Sequence, residues 1–344
     1  MNRALKCLTL GVSILSASSL PSVAAEDGFF ANKTITVLIA SSAGGGLDTF
    51  GRLVSRHLGK HLPGTPNVIA QNMPGAGGAL VAGQLYNVVP KDGTVMGIPF
   101  ASVIMDPLLT GGRKEYDPKL FNYIGNAQSE VLLCFVRKDS PWTTLADTQT
   151  KEIILGSSAP GSPSYDFPIV AQKLLGLKLK MVTGYKGSRE VTLAMEAGEL
   201  QGTCGLSWTT LKIQYPDVIK GDGFGRVFAQ EDITGLPKFT DAGVPKIITL
   251  AKTDEQKQAF EMLYSQNSFA RPFLYPPGVP AERVQIVRRA FDETMKDPEL
   301  VSEAGRLNID LAPSTGEAVQ AAVEKLYRTP QKVIDDVKAA LATR

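Results

Sequence analysis

The chain has 344 residues, of which 43% are hydrophobic and 20% are charged, a composition typical of a soluble globular protein rather than a disordered chain. This length exceeds the usual size of a single hydrophobic core, so we expect one large domain or two medium ones. The formal charge of +2 provides no basic field for nucleic acid or for an anionic membrane surface, which excludes both as expected partners.

The first 25 residues have the layout of a secretory signal peptide. Arg3 and Lys6 precede a short apolar run from Leu8 to about Leu20, and small residues lead to a cleavage site after Ala25. A membrane anchor is the alternative, but the run is too short and too rich in serine to span a bilayer comfortably. Cleavage removes two basic and no acidic side chains, which leaves an exported chain with a formal charge of zero.

Past this segment the sequence predicts strands and helices in alternation. A strand is predicted at 34–40, and the helix that follows has its apolar residues on one face: Leu47, Phe50, Val54, Leu58 and Leu62. Further strands are predicted at 67–72 and 94–100, with a helix from about Gly77 to Val88 between them. This alternation is typical of a parallel sheet with helices packed on its faces.

The alternation repeats later in the chain. The predicted strands are 130–138, 152–158, 178–187 and 200–208, and the predicted helices are 165–176 and 189–199. A proline-rich extended segment at 268–280 leads to a helix with four apolar residues on one face: Val284, Val287, Phe291 and Met295. A last helical stretch covers about 314–342, with an interruption near Thr329-Pro330. We therefore expect an α/β protein of two units with a C-terminal helical segment.

Four of the predicted strands end in loops rich in small residues. These loops read SSAGGG at 41–46, QNMPGAGG at 71–78, GSSAPGS at 156–162 and TGYKGS at 183–188. Ligands of open α/β sheets bind outside the carboxyl ends of the strands, and the unpaired amides at a helix N-terminus favour an anion. Tight strand-to-helix turns would explain one such cluster, but four loops of one character predict a binding surface for a carboxylate.

Catalytic motifs are weak in this sequence. The glycine spacing departs from the dinucleotide fingerprint, and the second strand ends in Gln71 rather than in an acidic residue. No Gly-x-Ser-x-Gly elbow and no Walker-type Gly-Lys-Ser/Thr occur. His57 and His61 have the i, i+4 spacing of a metal pair but lack a third ligand in the sequence, so we interpret them as solvent-facing. We expect no enzymatic activity, no cofactor and no metal.

Two cysteines, Cys134 and Cys204, remain after the signal peptide. An oxidising compartment permits a disulfide between them. Each lies in an apolar, strand-like run, however, so we expect two buried free thiols. The sequence does not fix the distance between them.

The loops also carry a resemblance to a known family. The glycine, Asp48 and Arg52 order, the N-x-PGAGG of 72–78 and the P-x-DG of 90–93 resemble the N-terminal region of the tripartite tricarboxylate transporter receptors, also called the Bordetella uptake gene family. GSSAPGS, GYKGSREVTLAMEAGELQG and PPGVPAERVQIVRRAFDETMKDPEL resemble its later segments. The resemblance covers essentially the whole mature chain.

This resemblance implies a type II periplasmic-binding-protein fold, a two-lobed Venus flytrap with a ligand cleft between the lobes. Lobe 1 would hold 27–126 plus 268–344, and lobe 2 would hold 127–267. The implied function is a periplasmic solute-binding receptor that captures a small carboxylate (a di- or tricarboxylate, an amino acid or an aromatic acid) and delivers it to integral-membrane transporter subunits. We expect a monomer. A sensor subunit that presents its closed form to a membrane sensor kinase is the alternative.

The resemblance also assigns ligand contacts to the glycine-rich loops. In lobe 1 they are Ser41, Ser42, Gly45, Gly46, Asp48, Gly75, Ala76, Gly77 and Gly78. In lobe 2 they are Ser157, Ser158, Gly161, Ser162, Tyr185, Lys186 and Gly187. Two residues lie in segments that depart from the family pattern. Trp208 is expected to pack against an apolar ligand body or in the core, and Arg271 either clamps a second carboxylate or pairs with an acidic residue.

Overall fold

The computed structural model describes residues 28–41, 43–44, 46–111, 115–158, 160–185, 187–217 and 222–342. The predicted signal peptide and three of the predicted site residues, Ser42, Gly45 and Lys186, lie outside these ranges. Among the residues described, no helix combines the length and the apolar character that crossing a bilayer requires.

The elements alternate for most of the chain. In chain order the strands are β1 (Thr34–Ile39), β2 (Asn67–Asn72), β3 (Val95–Ile98), β4 (Asn122–Asn126), β5 (Leu132–Arg137), β6 (Ile153–Gly156), β7 (Leu179–Val182), β8 (Gly202–Ser207), β9 (Gly225–Glu231), β10 (Pro272–Tyr275) and β11 (Ser314–Thr315). The helices are α1 (Gly46–Leu58), α2 (Ala79–Asn87), α3 (Ser102–Thr110), α4 (Pro163–Leu175), α5 (Ser188–Glu196), α6 (Trp208–Gln214), α7 (Pro237–Asp241), α8 (Asp254–Tyr264), α9 (Ala281–Thr294), α10 (Pro298–Arg306), α11 (Gly316–Leu326) and α12 (Gln331–Leu341).

The strands form two separate mixed sheets. The first has the order β11-β4-β10-β3-β1-β2 and the second the order β7-β6-β8-β5-β9. In the first, β1 runs parallel to β2 and β3, whereas β10 runs antiparallel to β3 and β4. In the second, β6 runs parallel to β7 and β8, whereas β5 runs antiparallel to β8 and β9. The first sheet therefore draws strands from both ends of the described chain, and the second draws them from its middle.

Six helices begin at the carboxyl ends of parallel strands. In the first sheet α1, α2 and α3 follow β1, β2 and β3, and in the second α4, α5 and α6 follow β6, β7 and β8. The chain passes between the sheets at 127–131 and again before β10. The C-terminal helix α12 packs against α3, α4 and α8, so it contacts helices attached to both sheets. Within each sheet, three helix amino ends are thus grouped at one edge, and each carries the positive end of a helix dipole.

Cys134 and Cys204 form a disulfide, so the prediction of two free thiols is wrong. The two residues lie on the antiparallel neighbours β5 and β8, where the pairing register shifts between Leu133 and Phe135. Their Cα atoms are 3.9 Å apart, and both side chains are buried. The apolar sequence context predicted the burial correctly, but the bond depends on which strands become neighbours.

His57 and His61 are not the solvent-facing pair that the sequence predicted. His57 is buried, and its Nε2 lies 2.7 Å from a carboxylate oxygen of Glu303 on α10. Nε2 of His61 lies 3.0 Å from a carboxylate oxygen of Asp297, the residue before α10. Both histidines therefore join α1 and the turn after it to α10, a contact between segments that are more than two hundred residues apart in the sequence.

Candidate ligand-binding cleft

Asp48 holds the first glycine loop in shape. One of its carboxylate oxygens accepts the N–H of Gly44 at 2.8 Å, and the other accepts Nδ2 of Asn72 at 2.7 Å and Nε of Arg52 at 2.9 Å. Burial alone would raise the pKa of Asp48, but these hydrogen bonds outweigh it and leave the pKa lowered, so the group stays ionised. Because every one of these partners belongs to the first sheet or its loops, we interpret Asp48 as a positioning residue rather than as a ligand contact.

The second sheet repeats this device with an aspartate that the sequence analysis missed. Asp166 lies in the first turn of α4 and is buried. Its carboxylate accepts the N–H of Gly161 at 3.0 Å, just as Asp48 accepts that of a loop glycine. The hydroxyl of Ser164 accepts the N–H of Ser158 at 3.2 Å. An aspartate in the first helical turn after a glycine loop is the common signal, and it would have identified Asp166.

Glycine is explained by different physical reasons at different positions of the loops. Gly75 and Gly78 have φ values of 149° and 94°, and a Cβ on Gly78 would lie 3.1 Å from the backbone nitrogen of Phe100. A tight turn and a close backbone approach therefore account for these two. Gly46 has neither constraint, because its φ is not left-handed and a Cβ there would meet only Nη2 of Arg271, at 4.0 Å. Its bare backbone is consistent with a binding surface.

The serines that follow β1 and β6 have buried hydroxyls. The Oγ atoms of Ser41 and Ser157 are buried and have no hydrogen-bond partner among the described residues. An unsatisfied buried hydroxyl costs on the order of 1–3 kcal/mol, so such atoms call for an explanation. Ser157 is fully buried in this conformation, which means that a ligand reaches its hydroxyl only if the surrounding loop moves.

A cavity of about 300 Å³, which we call the central cavity, lies between segments that belong to the two sheets. It is lined by Phe100, Ala101, Ser102, Glu130, Leu132, Gly161, Pro163, Gln266, Asn267, Ala270 and Arg271. A second cavity of about 590 Å³ shares Ser102 and Gly161 with it and extends to Ala76. A third, of about 640 Å³, shares Glu130 and extends to Trp208. The three cavities share wall residues, and we refer to them together as the cleft; their volumes are in the range of small-ligand sites.

The cleft brings together only part of the predicted site. Ala76, Gly161 and Trp208 line its cavities, and Gly46 lies beside Arg271 at its wall. Several other predicted contacts do not line these cavities, among them Ser41, Asp48, Gly75, Gly78, Ser157, Ser158, Ser162, Tyr185 and Gly187. Glu130 also lines the cleft but was not among the predicted site residues, because no local sequence pattern marks it.

Trp208 fits both of the roles that the sequence left open. Its ring packs edge-on against Phe239 at 4.9 Å and has the ammonium groups of Lys212 and Lys238 at 5.6 and 5.0 Å. It is therefore part of the smaller apolar cluster of the second sheet. Its remaining surface lines the third cavity of the cleft.

Two groups of side chains have ligand types suited to a metal ion. His57, Asp297 and Glu299 place possible ligand atoms within 4.8 Å of one another. The ammonium of Lys60 already contacts both carboxylates, at 2.5 and 2.7 Å, so this group is an ion-pair network. The second group joins Glu231 to the two cysteine sulfurs, and these sulfurs are bonded to each other.

Comparisons with known proteins agree with the sequence resemblance. No protein-family model matches the chain. A UPF0065 protein from the TAR-I ttuE-ttuC' intergenic region of Agrobacterium vitis is 26% identical over 301 residues, which cover 86% of this chain and 80% of that protein. A UPF0065 protein from the gbd 5' region of Cupriavidus necator is 27% identical over 327 residues, covering 87% of this chain and 95% of that protein.

Solved structures match over most of their length. A TctC solute-binding protein from Polaromonas has a TM-score of 0.68 at 21% identity, covering 88% of this chain and 98% of that one. A Rhodopseudomonas palustris protein with adipate has a TM-score of 0.61 at 19% identity, covering 89% of this chain and 97% of that one. MatC from the same organism, with bound malate, has a TM-score of 0.59 at 18% identity, covering 88% of this chain and 99% of that one. The chain has the two-lobed α/β fold of the TctC-type solute-binding proteins, and the family resemblance inferred from its motifs is confirmed.

Proposed function

We propose that this protein is a periplasmic receptor that captures a small carboxylate in the cleft and delivers it to the membrane subunits of a tripartite tricarboxylate transporter. The observation that carries the proposal is the cleft itself, where Ala76 and Gly161, from glycine loops of the two sheets, line one cavity and Gly46, from a third loop, lies beside Arg271 at the wall of the next. The malate and adipate of two structural neighbours support a carboxylate ligand. The proposal keeps the two lobes expected from the sequence, 27–126 plus 268–344 and 127–267, a division that the strand content of the two sheets supports.

Binding and closure would use the backbone more than side chains. Each helix amino end contributes roughly 0.3–1 kcal/mol to the binding of an anion in an exposed setting, and more where water is excluded. A ligand shifts the balance between open and closed forms only through a difference in affinity for the two. Contacts to loops of both sheets provide that difference, because both loops reach the ligand only in the closed form. With a mature formal charge of zero, capture depends on this local geometry rather than on long-range attraction.

A thermal-shift screen tests the proposal. The purified mature protein is heated with tricarboxylates, dicarboxylates, monocarboxylates, aromatic acids, amino acids and uncharged sugars. A ligand at a hundredfold excess over its Kd adds about 2.7 kcal/mol to the free energy of unfolding, so we expect a clear rise in Tm with one class of acid. An unchanged Tm with every compound of the panel, measured on protein shown to be folded and free of ligand, would contradict a carboxylate receptor. A response to the sugars alone would also contradict it.

Replacing Gly46 tests whether bare backbone forms the binding surface. In Gly46→Ala the new Cβ has room in the folded protein and the backbone φ is not left-handed, and alanine at such a position reduces the conformational freedom of the unfolded chain by about 0.4–1 kcal/mol. We therefore expect an unchanged or higher Tm. Affinity for the acid that gives the largest thermal shift should nevertheless fall by about tenfold or more, corresponding to about 1.4 kcal/mol, because the methyl group blocks close approach to the amide. Isothermal titration calorimetry measures the affinity.

Gly83→Ala is the matched control for this variant. Gly83 lies within α2, and a Cβ there would also meet its nearest neighbour, Glu115, at 4.0 Å. It does not line the cleft cavities, so its substitution should leave the affinity unchanged. Equal affinities for wild type and Gly46→Ala would mean that the ligand does not approach the backbone at Gly46.

A further inference from the structure

Arg271 has hydrogen-bonding capacity that no described residue uses. Its Nη1 donates to the carbonyl of Ala270 at 2.8 Å, whereas its Nε is buried and has no partner among the described residues. Its Nη2 lies 3.8 Å from a carboxylate oxygen of Glu130, which is too long for a hydrogen bond. The guanidinium also lies over the ring of Phe50, with 5.5 Å between its central carbon and the ring centroid. It is therefore held firmly in place but poorly satisfied.

A structural ion pair would look different. Arginine and carboxylate that serve as a buried structural pair are expected to meet in short, often bidentate hydrogen bonds, because a buried charge without such a partner is destabilising. The side chain of Arg271 is 20% exposed and that of Glu130 is 12% exposed. Both are largely removed from water and yet remain apart.

The position of Arg271 suits an anion in the cleft. The residue lines the central cavity together with Glu130 and Gly161. Its Nη2 also lies 4.0 Å from where a Cβ of Gly46 would be, which places the guanidinium beside the amino end of α1. A positive charge, a helix amino end and a cavity thus meet at one place, and each of the first two attracts a carboxylate.

Glu130 is fixed independently of Arg271. The hydroxyl of Ser207 donates to its other carboxylate oxygen, and its backbone N–H donates to the carbonyl of Asn267 at 2.8 Å. Closing the gap to Arg271 would therefore disturb contacts on both passages between the sheets. From 3.8 Å away, the carboxylate of Glu130 partly neutralises the charge of the guanidinium. It therefore competes with an incoming anion for Arg271.

We propose that Arg271 forms an anion subsite in the cleft that receives a second carboxylate of the ligand, with Glu130 as the internal counter-ion. This inference rests on the proposed function and narrows it: the ligand is a di- or tricarboxylate whose first acid group lies on the glycine loops. Arginine suits this role because its planar guanidinium binds a carboxylate through two parallel hydrogen bonds.

Titration calorimetry with matched acids tests the subsite. The probes are adipate against hexanoate and succinate against butyrate, in which the two members differ only in the second carboxylate, together with citrate. Arg271→Gln should weaken the binding of the di- or tricarboxylates by roughly 10- to 100-fold, the loss expected for a hydrogen bond to a charged group. Monocarboxylates should change by less than about threefold. Arg271→Lys should restore part of the loss, since the charge is kept but the planar fork is not.

Two further variants separate this role from a structural one. Glu130→Gln keeps Arg271 in place and removes the competing charge, so it should raise the affinity for the multiply charged acids relative to the monocarboxylates. A fall or no change in that ratio overturns the proposal even if Arg271→Gln does not fold. Arg306→Gln makes the same change in net charge as Arg271→Gln, but on the exposed surface of α10, and should leave every affinity unaltered.

The outcomes distinguish the subsite from the proposed function. Suppose that wild type binds acids, and that Arg271→Gln lowers the affinities for mono- and dicarboxylates equally or leaves both unchanged. The subsite is then wrong and the receptor proposal stands. Binding of monocarboxylates alone by wild type leads to the same conclusion. If wild type binds none of the carboxylates, both proposals are wrong.

Discussion

Removal of the disulfide between Cys134 and Cys204 is expected to lower the free energy of unfolding by about 4 kcal/mol. The bond joins positions 70 residues apart, and closing a loop of that length in the unfolded chain corresponds to about 4 kcal/mol in the chain-entropy model. The double variant Cys134→Ala with Cys204→Ala removes it without introducing a hydroxyl at two buried positions. Urea unfolding followed by circular dichroism measures the difference.

Reductant provides the control for this experiment. Wild type unfolded in the presence of reductant should lose stability to a similar extent, because the denatured chain then has no cross-link. The double variant should be indifferent to reductant, and any response from it would point to another cause. A double variant as stable as oxidised wild type would show that the cross-link does not constrain the unfolded chain.

The regular part of the fold is well predicted from the sequence. The strand predicted at 34–40 is β1 at Thr34–Ile39, and the helix predicted at 165–176 is α4 at Pro163–Leu175. These segments combine a clear apolar period with glycine or proline at their ends. Helix α8 was missed although Thr253 and Gln256 form a capping box at its start, a signal that the sequence does contain. Strand β9 was also missed, because its mixed polarity gives no regular alternation and its position depends on its partner β5.

The site is predictable only where its chemistry is local. Glycine and serine next to strand ends mark the loops, so Ala76, Gly161 and Gly46 could be named in advance. The proximity of Arg271 to Glu130 could not, because the two residues lie on separate passages of the chain between the two sheets. The same reason explains the disulfide, whose two cysteines meet only through the pairing of β5 with β8. Contacts of this kind follow from topology, which one sequence specifies weakly.

Glu231 is expected to make the protein less stable as the pH rises from about 5 to 8. It is almost fully buried at the end of β9, and among the described residues only the N–H of Gly205 donates to its carboxylate. Burial raises its pKa from an ordinary 4.5 to about 8, with the Gly205 hydrogen bond acting in the opposite direction. At neutral pH the folded protein therefore holds this carboxyl largely protonated.

The direction of the effect follows from the two pKa values. Below about 4.5 the carboxyl is protonated in both states, so it does not favour unfolding. Between 4.5 and 8 the unfolded chain releases the proton while the folded protein retains it, which stabilises the unfolded state progressively. One pKa unit corresponds to about 1.4 kcal/mol, so the loss between pH 5 and pH 8 is on the order of 3 kcal/mol.

The variant Glu231→Gln isolates this contribution, because its amide oxygen still accepts the N–H of Gly205 but does not titrate. Urea unfolding at pH 5 and pH 8 should show a smaller loss of stability in the variant than in wild type, by on the order of 3 kcal/mol. Glu324→Gln, at an exposed position of α11, should keep the wild-type dependence. The backbone carbonyl of Glu231 accepts Nδ2 of Asn267 at 2.8 Å. Ionisation of the Glu231 carboxyl therefore places a charge on a residue that contacts a passage of the chain between the two sheets. Equal pH dependence in wild type and Glu231→Gln would mean that the carboxyl ionises freely in the folded protein and that the core around the disulfide admits water.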